Sequence, residues 1–326
     1  MNALDIRGLT LRLPATARPV LDGVDLTVGA GETVALVGES GSGKTLTSRS
    51  ALGLLPPGAD AAGSIRVAGA EVLGAGAAAL RRLRSRTAAM IYQDPRAATN
   101  PLRRIGDFLT ESVLLTGALD RPSADRRAAE LLDAVGLDAS VLGRYPGQVS
   151  GGMLQRVVIA AALMGDPALL LADEPTTALD VTTQAEVVAL LDGLRRRFGT
   201  GLLFVTHDLG LAAAISDRVY VMYAGRIAET APAATLFDRP RHPYTAALLA
   251  ATPGIDAPAG RLAAIDGQPP DLRAELAGCP FAARCPLADD RCRAETPQAR
   301  TAPGSAADHL TACHHAERLE GSASDV

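Results

Sequence analysis

The chain has 326 residues, of which 48% are hydrophobic and 3% aromatic, and it contains no tryptophan. This length accommodates one large α/β domain and a smaller module. The 32 basic residues face 36 acidic ones, which leaves a net charge of −4 and no overall positive field for nucleic acid. No apolar run approaches the roughly 18 residues of a membrane span, and the amino terminus lacks a signal-peptide core. We therefore expect a cytosolic protein that reaches a membrane only through a partner.

The first ninety residues predict strands of two kinds. Alternating apolar and polar residues are typical of half-buried antiparallel strands, whereas short, wholly apolar runs indicate buried strands. Alternation marks 4–13 and 24–28, which are separated by a loop at 14–19. The other strands predicted here are 33–37, 64–67 and 88–92, and the helices are 46–53 and 77–86.

Helical patterns dominate the middle of the chain and predict a helical subdomain at about 94–165. Ser123 is the predicted N-cap of one of its helices. Strands and helices then alternate, which implies a mostly parallel sheet covered on both faces. The predicted helices are 105–115, 123–135, 153–164, 182–198 and 209–215, and the strands are 168–172, 201–206 and 218–223. We take 218–223 as the last strand, closed by a turn at Gly225; the pattern dissolves near residue 231, and 252–272 has the composition of a linker.

A glycine-rich loop between the buried strand 33–37 and the following helix carries the clearest chemical signal. Its residues fit the phosphate-loop pattern G-x-x-x-x-G-K-[ST], in the strand–loop–helix context that the pattern requires. Lys44 is the only lysine among the 32 basic residues, and a phosphate cradle needs a compact ammonium. A simple Gly/Ser turn is the weaker alternative. The loop residues are Gly38, Glu39, Ser40, Gly41, Ser42, Gly43, Lys44 and Thr45.

Polar side chains follow three other predicted strands at the edge where this loop lies. Asp173 and Glu174 end one strand, His207 follows another, and Gln93 follows a third. The carboxyl edge of a parallel sheet is where ligands bind. We expect Thr45, Gln93 and Asp173 to hold Mg²⁺, and Glu174, His207 and Gln93 to act in hydrolysis. A solvated acidic turn is the alternative interpretation of Asp173 and Glu174.

Ser150, Gly151 and Gly152 open another predicted helix, and a hydroxyl with bare backbone at a helix N-terminus suits an anion. An ordinary helix cap would look the same. The ordered motifs, however, resemble the ATP-binding cassette (ABC) ATPases over residues 1 to about 230. They are the phosphate loop, the Gln93 loop, the signature 149–156, the Asp173–Glu174 strand, Ala178-Leu179-Asp180 and His207.

The resemblance implies a P-loop cassette (1–230) with an antiparallel β subdomain, the inserted helical subdomain, and an extension (231–326). It further implies that two cassettes pair head to tail, so that Ser150, Gly151 and Gly152 serve the partner's ATP. Leu13 stands where such cassettes place an aromatic residue against adenine, which puts base stacking in doubt. Val149 and Leu154 replace a usual leucine and arginine.

Further motifs are similar to the dipeptide, oligopeptide and nickel importer ATPases: Tyr145-Pro146, the loop 39–43 and His242-Pro243-Tyr244-Thr245. This resemblance implies a peripheral ATPase at the cytoplasmic face of the inner (plasma) membrane. Its expected partners are a second, different ATPase subunit, two permeases and a substrate-binding protein, with no nucleic acid. Alternatives are an importer for nickel or another small solute, and a soluble ABC ATPase acting on nucleic acid or ribosomes.

All four cysteines lie in the extension: Cys279, Cys285, Cys292 and Cys313. Disulfides are disfavoured in the cytosol, whereas clustered thiolates suit a metal or an iron–sulfur cluster. Similar peptide-importer ATPases carry a [4Fe–4S] cluster at matching cysteines, and that resemblance implies one here. Zinc and unligated thiols are the alternatives.

Overall fold

The computed structural model describes residues 2–14, 16–177, 180–252 and 265–319. A four-stranded antiparallel sheet in the order β2-β1-β4-β5 forms one layer. Side chains along β1 alternate in burial, so that Leu4, Ile6 and Leu9 lie in the core while polar residues such as Arg7 face solvent. The strands are β1 (Asn2–Arg12), β2 (Leu21–Gly29), β4 (Asp60–Val67) and β5 (Ala70–Glu71).

The second sheet has eight strands in the order β11-β12-β10-β9-β3-β8-β7-β6. Five neighbouring strands run parallel, in the order β9-β3-β8-β7-β6, whereas β10, β12 and β11 are antiparallel additions at one edge. Strands β3, β7 and β8 are buried along their whole length, as parallel strands covered on both faces must be. Their bounds are β3 (Thr33–Val37), β6 (Ala88–Ile91), β7 (Leu169–Asp173), β8 (Gly201–Thr206), β9 (Arg218–Tyr223), β10 (Arg226–Pro232), β11 (Arg300–Thr301) and β12 (Leu310–Thr311).

Ten α-helices lie in the described residues. One predicted cap is wrong: Asp120, not Ser123, caps α4, because its carboxylate accepts the Ser123 N–H at 3.0 Å and Pro122 fits the first turn without a donor. The helices are α1 (Lys44–Ser50), α2 (Ala77–Arg86), α3 (Ile105–Leu115), α4 (Arg121–Ala134), α5 (Gly151–Leu163), α6 (Val181–Phe198), α7 (Leu209–Ile215), α8 (Ala233–Asp238), α9 (Pro243–Ala250) and α10 (Asp290–Ala294).

Within the described residues, three apolar clusters hold these layers together. The first lies between the two sheets, and the second joins helices α3, α4, α5 and α6 to the opposite face of the large sheet. The third packs β9 and β10 against α7, α8 and residues from the carboxyl-terminal part, including Tyr244 and Phe281. The helical segment is thus anchored to the sheet by its own core, as an inserted subdomain requires.

The part of the chain after residue 230 is more regular than its sequence pattern predicts. Strand β9 is not the last strand, since β10, β12 and β11 extend the sheet beyond it, and helices α8 and α9 follow residue 231. These elements are two to eight residues long, too short to show a period. Most of the predicted linker, 253–264, lies outside the described residues, as does Ala178-Leu179.

A fully buried carboxylate joins the carboxyl-terminal part to β10. Glu229 accepts the backbone N–H groups of Arg241 at 2.6 Å and His242 at 3.0 Å, and it pairs with His309 Nε2 at 2.7 Å. Both Glu229 and His309 are 0% exposed. Because buried polar groups are stable only when they are hydrogen-bonded, this cluster fixes β12 and the start of α9 against the sheet.

His242 makes the stability of this region depend on pH. Its Nδ1 accepts the Tyr244 N–H at 3.0 Å, and burial lowers the pKa of His242 to about 4, against the charge of Glu229. The unfolded chain therefore takes up a proton near pH 6.5, whereas the folded chain does not until about pH 4. We expect the unfolding free energy to fall by about 3 kcal/mol as the pH drops through this interval.

Urea unfolding at several pH values between 7 and 4 measures this effect. The matched variant is His242→Asn, whose amide oxygen can still cap α9 but takes up no proton. We expect the variant to lose less stability on acidification than the parent chain. Equal losses in both proteins would show that other groups govern the acid response.

Candidate nucleotide site

The glycine-rich loop connects β3 to α1, as the sequence predicts. Gly38 has φ 150° and Gly43 has φ 109°, conformations that favour glycine. A Cβ atom on Gly38 would lie 2.2 Å from the carbonyl oxygen of Met222, and one on Gly43 would lie 2.7 Å from Leu21 Cδ2. Any other residue at Gly38 or Gly43 would have a strained backbone and a crowded side chain.

Lys44, at the start of α1, folds back over the loop and is only 5% exposed. Its Nζ donates to the carbonyl oxygens of Gly38 at 2.8 Å and Glu39 at 2.9 Å. Burial lowers the pKa of Lys44, whereas the charges of Glu174, Asp173 and Glu39 raise it. The ammonium is thus a point charge held within the loop and surrounded by acidic groups.

Thr45 links the loop to the end of β7. Its Oγ1 donates to Asp173 Oδ1 at 2.9 Å. Asp173 is 4% exposed, and burial raises the pKa of its carboxyl while the Thr45 hydrogen bond and the Arg49 and Lys44 charges lower it. Two oxygen atoms of the kind that bind metal ions, one from Thr45 and one from Asp173, consequently lie together at the carboxyl edge of the parallel sheet.

Glu174 brings three strand ends together. It has φ 49°, uncommon for a residue other than glycine, and its N–H donates to the Val205 carbonyl at 2.9 Å, which holds this backbone in place. Its Oε1 lies 3.3 Å from His207 Nδ1, and its Oε2 accepts Thr177 Oγ1 at 3.0 Å and Gln93 Nε2 at 3.4 Å. The structure therefore assembles Gln93, Glu174 and His207 as the sequence predicts, and it adds Thr177.

The signature residues lie apart from this cluster. Ser150 caps α5, its Oγ accepting the Met153 N–H at 3.2 Å, and Gly151 is exposed. Among the described residues, no hydrogen bond joins 150–152 to the loop or to Glu174. Leu13, the position expected near adenine, packs against the core between the sheets and accepts the Thr16 N–H.

Two residues of the carboxyl-terminal part reach the loop and were missed by sequence reasoning. The Tyr244 hydroxyl accepts the Glu39 N–H at 2.8 Å, and Arg284 forms two hydrogen bonds with the Glu39 carboxylate. Arg284 and Glu39 are separated by 245 positions, so no local pattern could connect them.

The prediction of an iron–sulfur cluster is wrong. Burial raises the pKa of each of the four thiols, that of Cys313 to about 12. The charges of neighbouring thiols raise the pKa further at Cys279, Cys285 and Cys313. Among the described residues, the one group of possible ligand atoms close enough to share an ion contains a single cysteine, Cys292.

The other two members of that group are Asp289 and His315, whose own contacts explain their proximity. Asp289 caps α10 by accepting the Cys292 N–H at 2.9 Å, and its other oxygen lies 2.9 Å from His315 Nε2. A carboxylate and an imidazole with one thiol do not make the thiolate set that holds a [4Fe–4S] cluster. The zinc alternative stays a prediction.

Two known protein families match separate regions of this chain. The ABC transporter family profile matches residues 21–177, and the profile of the oligopeptide/dipeptide transporter C-terminal region matches residues 228–292. The oligopeptide transport ATP-binding protein OppD of Escherichia coli K12 is 41% identical over 96% of this chain and 92% of that protein. The chain belongs to the ABC transporter ATP-binding proteins, in the oligopeptide/dipeptide branch.

OppD of Mycobacterium tuberculosis H37Rv is 42% identical over 99% of this chain and 53% of that protein, so the chain spans about half the length of this relative. A dimeric ABC cassette, MJ0796, solved in a post-hydrolysis state with ADP and Pi, covers 71% of this chain with a TM-score of 0.62 and 26% identity. The predicted family and cassette fold are thereby confirmed. No helix in the described ranges combines the length and apolarity needed to cross a bilayer.

Proposed function

We propose that this chain is the ATP-hydrolysing subunit of an ABC importer for dipeptides or oligopeptides. The observation that carries the proposal is the convergence of Lys44, Thr45–Asp173 and Glu174–His207 on one edge of the parallel sheet. Relatives named oligopeptide transport ATP-binding proteins, and the family's own carboxyl-terminal region, support peptide as the transported class.

The phosphates of ATP would lie in the loop 38–45, with the Lys44 ammonium contacting them. Mg²⁺ would be held by Thr45 and Asp173, whose oxygens are 2.9 Å apart. A hydroxyl oxygen and a carboxylate oxygen side by side are the ligand chemistry that Mg²⁺ prefers, so these two residues fit the ion. Gln93 would add its amide oxygen. The ion would supply charge neutralisation at the phosphates.

Glu174 would orient and deprotonate the attacking water, because its carboxylate is held by three partners and lies beside the loop. His207, whose side chain is 58% exposed, is free to turn toward a bound γ-phosphate. Gln93 would help to position the water and Mg²⁺ next to the Glu174 carboxylate. Each of these residues sits at the end of a different strand, which fixes their relative positions.

Hydrolysis would require a second cassette. Ser150, Gly151 and Gly152 lie apart from the loop of their own chain, and Ser150 and Gly151 are exposed at the start of a thirteen-residue helix. An exposed helix N-terminus with bare backbone N–H groups is suited to the phosphates of a nucleotide held by a partner. We propose that the partner is a second, different ATPase subunit.

Partner permeases would dock on the helical subdomain. Of the five large exposed apolar side chains in the described part of the chain, four lie in or directly before this subdomain: Leu102 is 85% exposed and Leu115 80%, with Tyr92 and Tyr145 at 38% each. Tyr92 and Leu115 line a groove of about 410 Å³ between β6 and helices α3 and α5. Such a patch marks an interaction surface, and this one would receive a cytoplasmic segment of the permease and so place the chain peripherally at the membrane.

Co-expression with the proposed permeases and second ATPase subunit tests this function. We expect the chain to purify from membranes with two permeases and a second ATPase. In proteoliposomes, the complex should hydrolyse ATP faster when a peptide-loaded binding protein is present. Identification of the solute captured by that protein distinguishes peptide from nickel. Stimulation by RNA or ribosomes in place of the binding protein would contradict the proposal.

A further inference from the structure

The carboxyl-terminal part contacts the glycine-rich loop at one residue, Glu39. Arg284 Nη1 donates to Glu39 Oε2 at 2.8 Å, and Nη2 donates to Oε1 at 2.9 Å. The Arg284 side chain is 5% exposed and that of Glu39 is 24% exposed. A bidentate ion pair with this little solvent exposure is directional, and solvent and salt screen it only weakly.

Arg284 is itself held rigidly. Its Nε donates to the Asp266 carbonyl at 2.9 Å, Nη2 to the Ile265 carbonyl at 3.2 Å, and Nη1 to the Tyr223 hydroxyl at 3.2 Å. The guanidinium lies 5.8 Å from the Tyr223 ring centre. Because these contacts do not involve the loop, the arginine is already oriented when it meets Glu39.

The backbone of Glu39 is held from the same side. The Tyr244 hydroxyl accepts the Glu39 N–H at 2.8 Å, and burial raises the pKa of Tyr244, which keeps this hydroxyl neutral. Tyr244 is 0% exposed and packs against the rings of Tyr223 at 4.5 Å and Phe281 at 5.3 Å. Both the main chain and the side chain of Glu39 are therefore fixed by residues outside the cassette core.

The charge of Glu39 is what makes this contact matter for a phosphate site. Its carbonyl accepts Lys44 Nζ at 2.9 Å, so the carboxylate belongs to a residue that directly contacts the loop's phosphate-binding ammonium, and its charge raises the pKa of Lys44. An uncompensated carboxylate there would repel an incoming polyphosphate and compete for Lys44. The Arg284 guanidinium cancels that charge without occupying the loop.

We infer that Arg284 is a positioning residue for ATP binding: it neutralises and orients Glu39, so that the loop carries net positive charge toward the nucleotide. The inference deepens the proposed function and rests on it. It assigns the carboxyl-terminal region a role at the nucleotide site, transmitted by one ion pair. Any shift of residues 265–285 relative to the sheet would consequently alter ATP affinity.

Equilibrium binding of Mg·ATP to the full-length chain, followed by calorimetry, tests the inference. We expect Arg284→Ala to weaken binding at least about tenfold, because the uncompensated Glu39 carboxylate would repel the phosphates from a partly buried position. Glu39→Gln in the Arg284→Ala background should restore most of the affinity, because the exposed carboxylate is gone. Arg291→Ala is the matched control, since Arg291 pairs with Glu295 and its side chain is 59% exposed.

The rescue separates this role from a merely structural one. If Arg284→Ala binds ATP like the parent chain, or if the double variant binds no better than Arg284→Ala, the inference is wrong. Should Arg284→Ala not fold, Glu39→Gln alone decides: the inference expects affinity above that of the parent, because a negative charge beside the phosphates is lost while Arg284 stays, and a structural pair expects a loss. If the proposed function itself is wrong, calorimetry will give a different result: the parent chain will bind no Mg·ATP.

Discussion

Replacing Glu174 with glutamine is expected to slow ATP hydrolysis by about 10²- to 10⁴-fold while leaving ATP binding intact. The amide keeps the size of the side chain and its contact with Thr177, but it cannot accept a proton from the attacking water. Steady-state phosphate release by the assembled ATPase pair measures the rate, and calorimetry with Mg·ATP measures the binding. Loss of the rate with retained affinity assigns Glu174 to the chemical step.

Glu186→Gln is the matched control for that experiment. Glu186 pairs with Arg156, has a side chain 56% exposed, and lies on α6 outside the strand-end cluster. We expect its rate to equal that of the parent pair. A Glu174→Gln pair that still hydrolyses ATP at the parent rate would remove Glu174 from the mechanism and leave the cluster with a binding role alone.

Lys44→Ala is expected to weaken Mg·ATP binding by roughly 100-fold, because it removes charge-assisted hydrogen bonds to phosphate from a buried position. The loop itself should stay folded, since its glycines and the Tyr244 contact do not depend on the ammonium. Calorimetry on the full-length chain measures the affinity, and thermal unfolding checks the fold.

Arg82→Ala serves as the control for Lys44, because Arg82 is an exposed cation on α2. We expect Arg82→Ala to bind as tightly as the parent. Binding by Lys44→Ala that matches the control would contradict the phosphate-loop assignment and, with it, the proposed ATPase.

Local sequence patterns were sufficient to predict the candidate site wherever its residues lie in a single loop or at a strand end. The loop 38–45 combines a pattern with a single lysine, and its strand–loop–helix context appears in the structure as β3 and α1. Strand ends were also predictable: Gln93, Glu174 and His207 meet because parallel strands present their carboxyl ends at a common edge. The N-cap of α4 was missed because Asp120 and Ser123 both suit a cap, and only the helix start distinguishes them.

The structure of the carboxyl-terminal part could not be predicted from local sequence patterns. Strand β12 is two residues long and pairs with β10 eighty positions earlier, and a pattern that short carries no period. The cysteine spacing likewise suggested a thiolate cluster, whereas the folded chain places Cys292 beside Asp289 and His315. Here the folded packing, which sequence spacing does not report, decides which donors meet.

The amino-acid sequence by itself determined the cassette: a phosphate loop, the strand-end acids and the order of motifs follow from backbone sterics and residue chemistry within single elements. Only the tertiary structure decided how the carboxyl-terminal part is used. Its buried Glu229–His309 pair and the Arg284–Glu39 ion pair join residues 80 and 245 positions apart. The physical reason is that a side-chain contact depends on separation in space, and distant segments come together only when the whole core has packed.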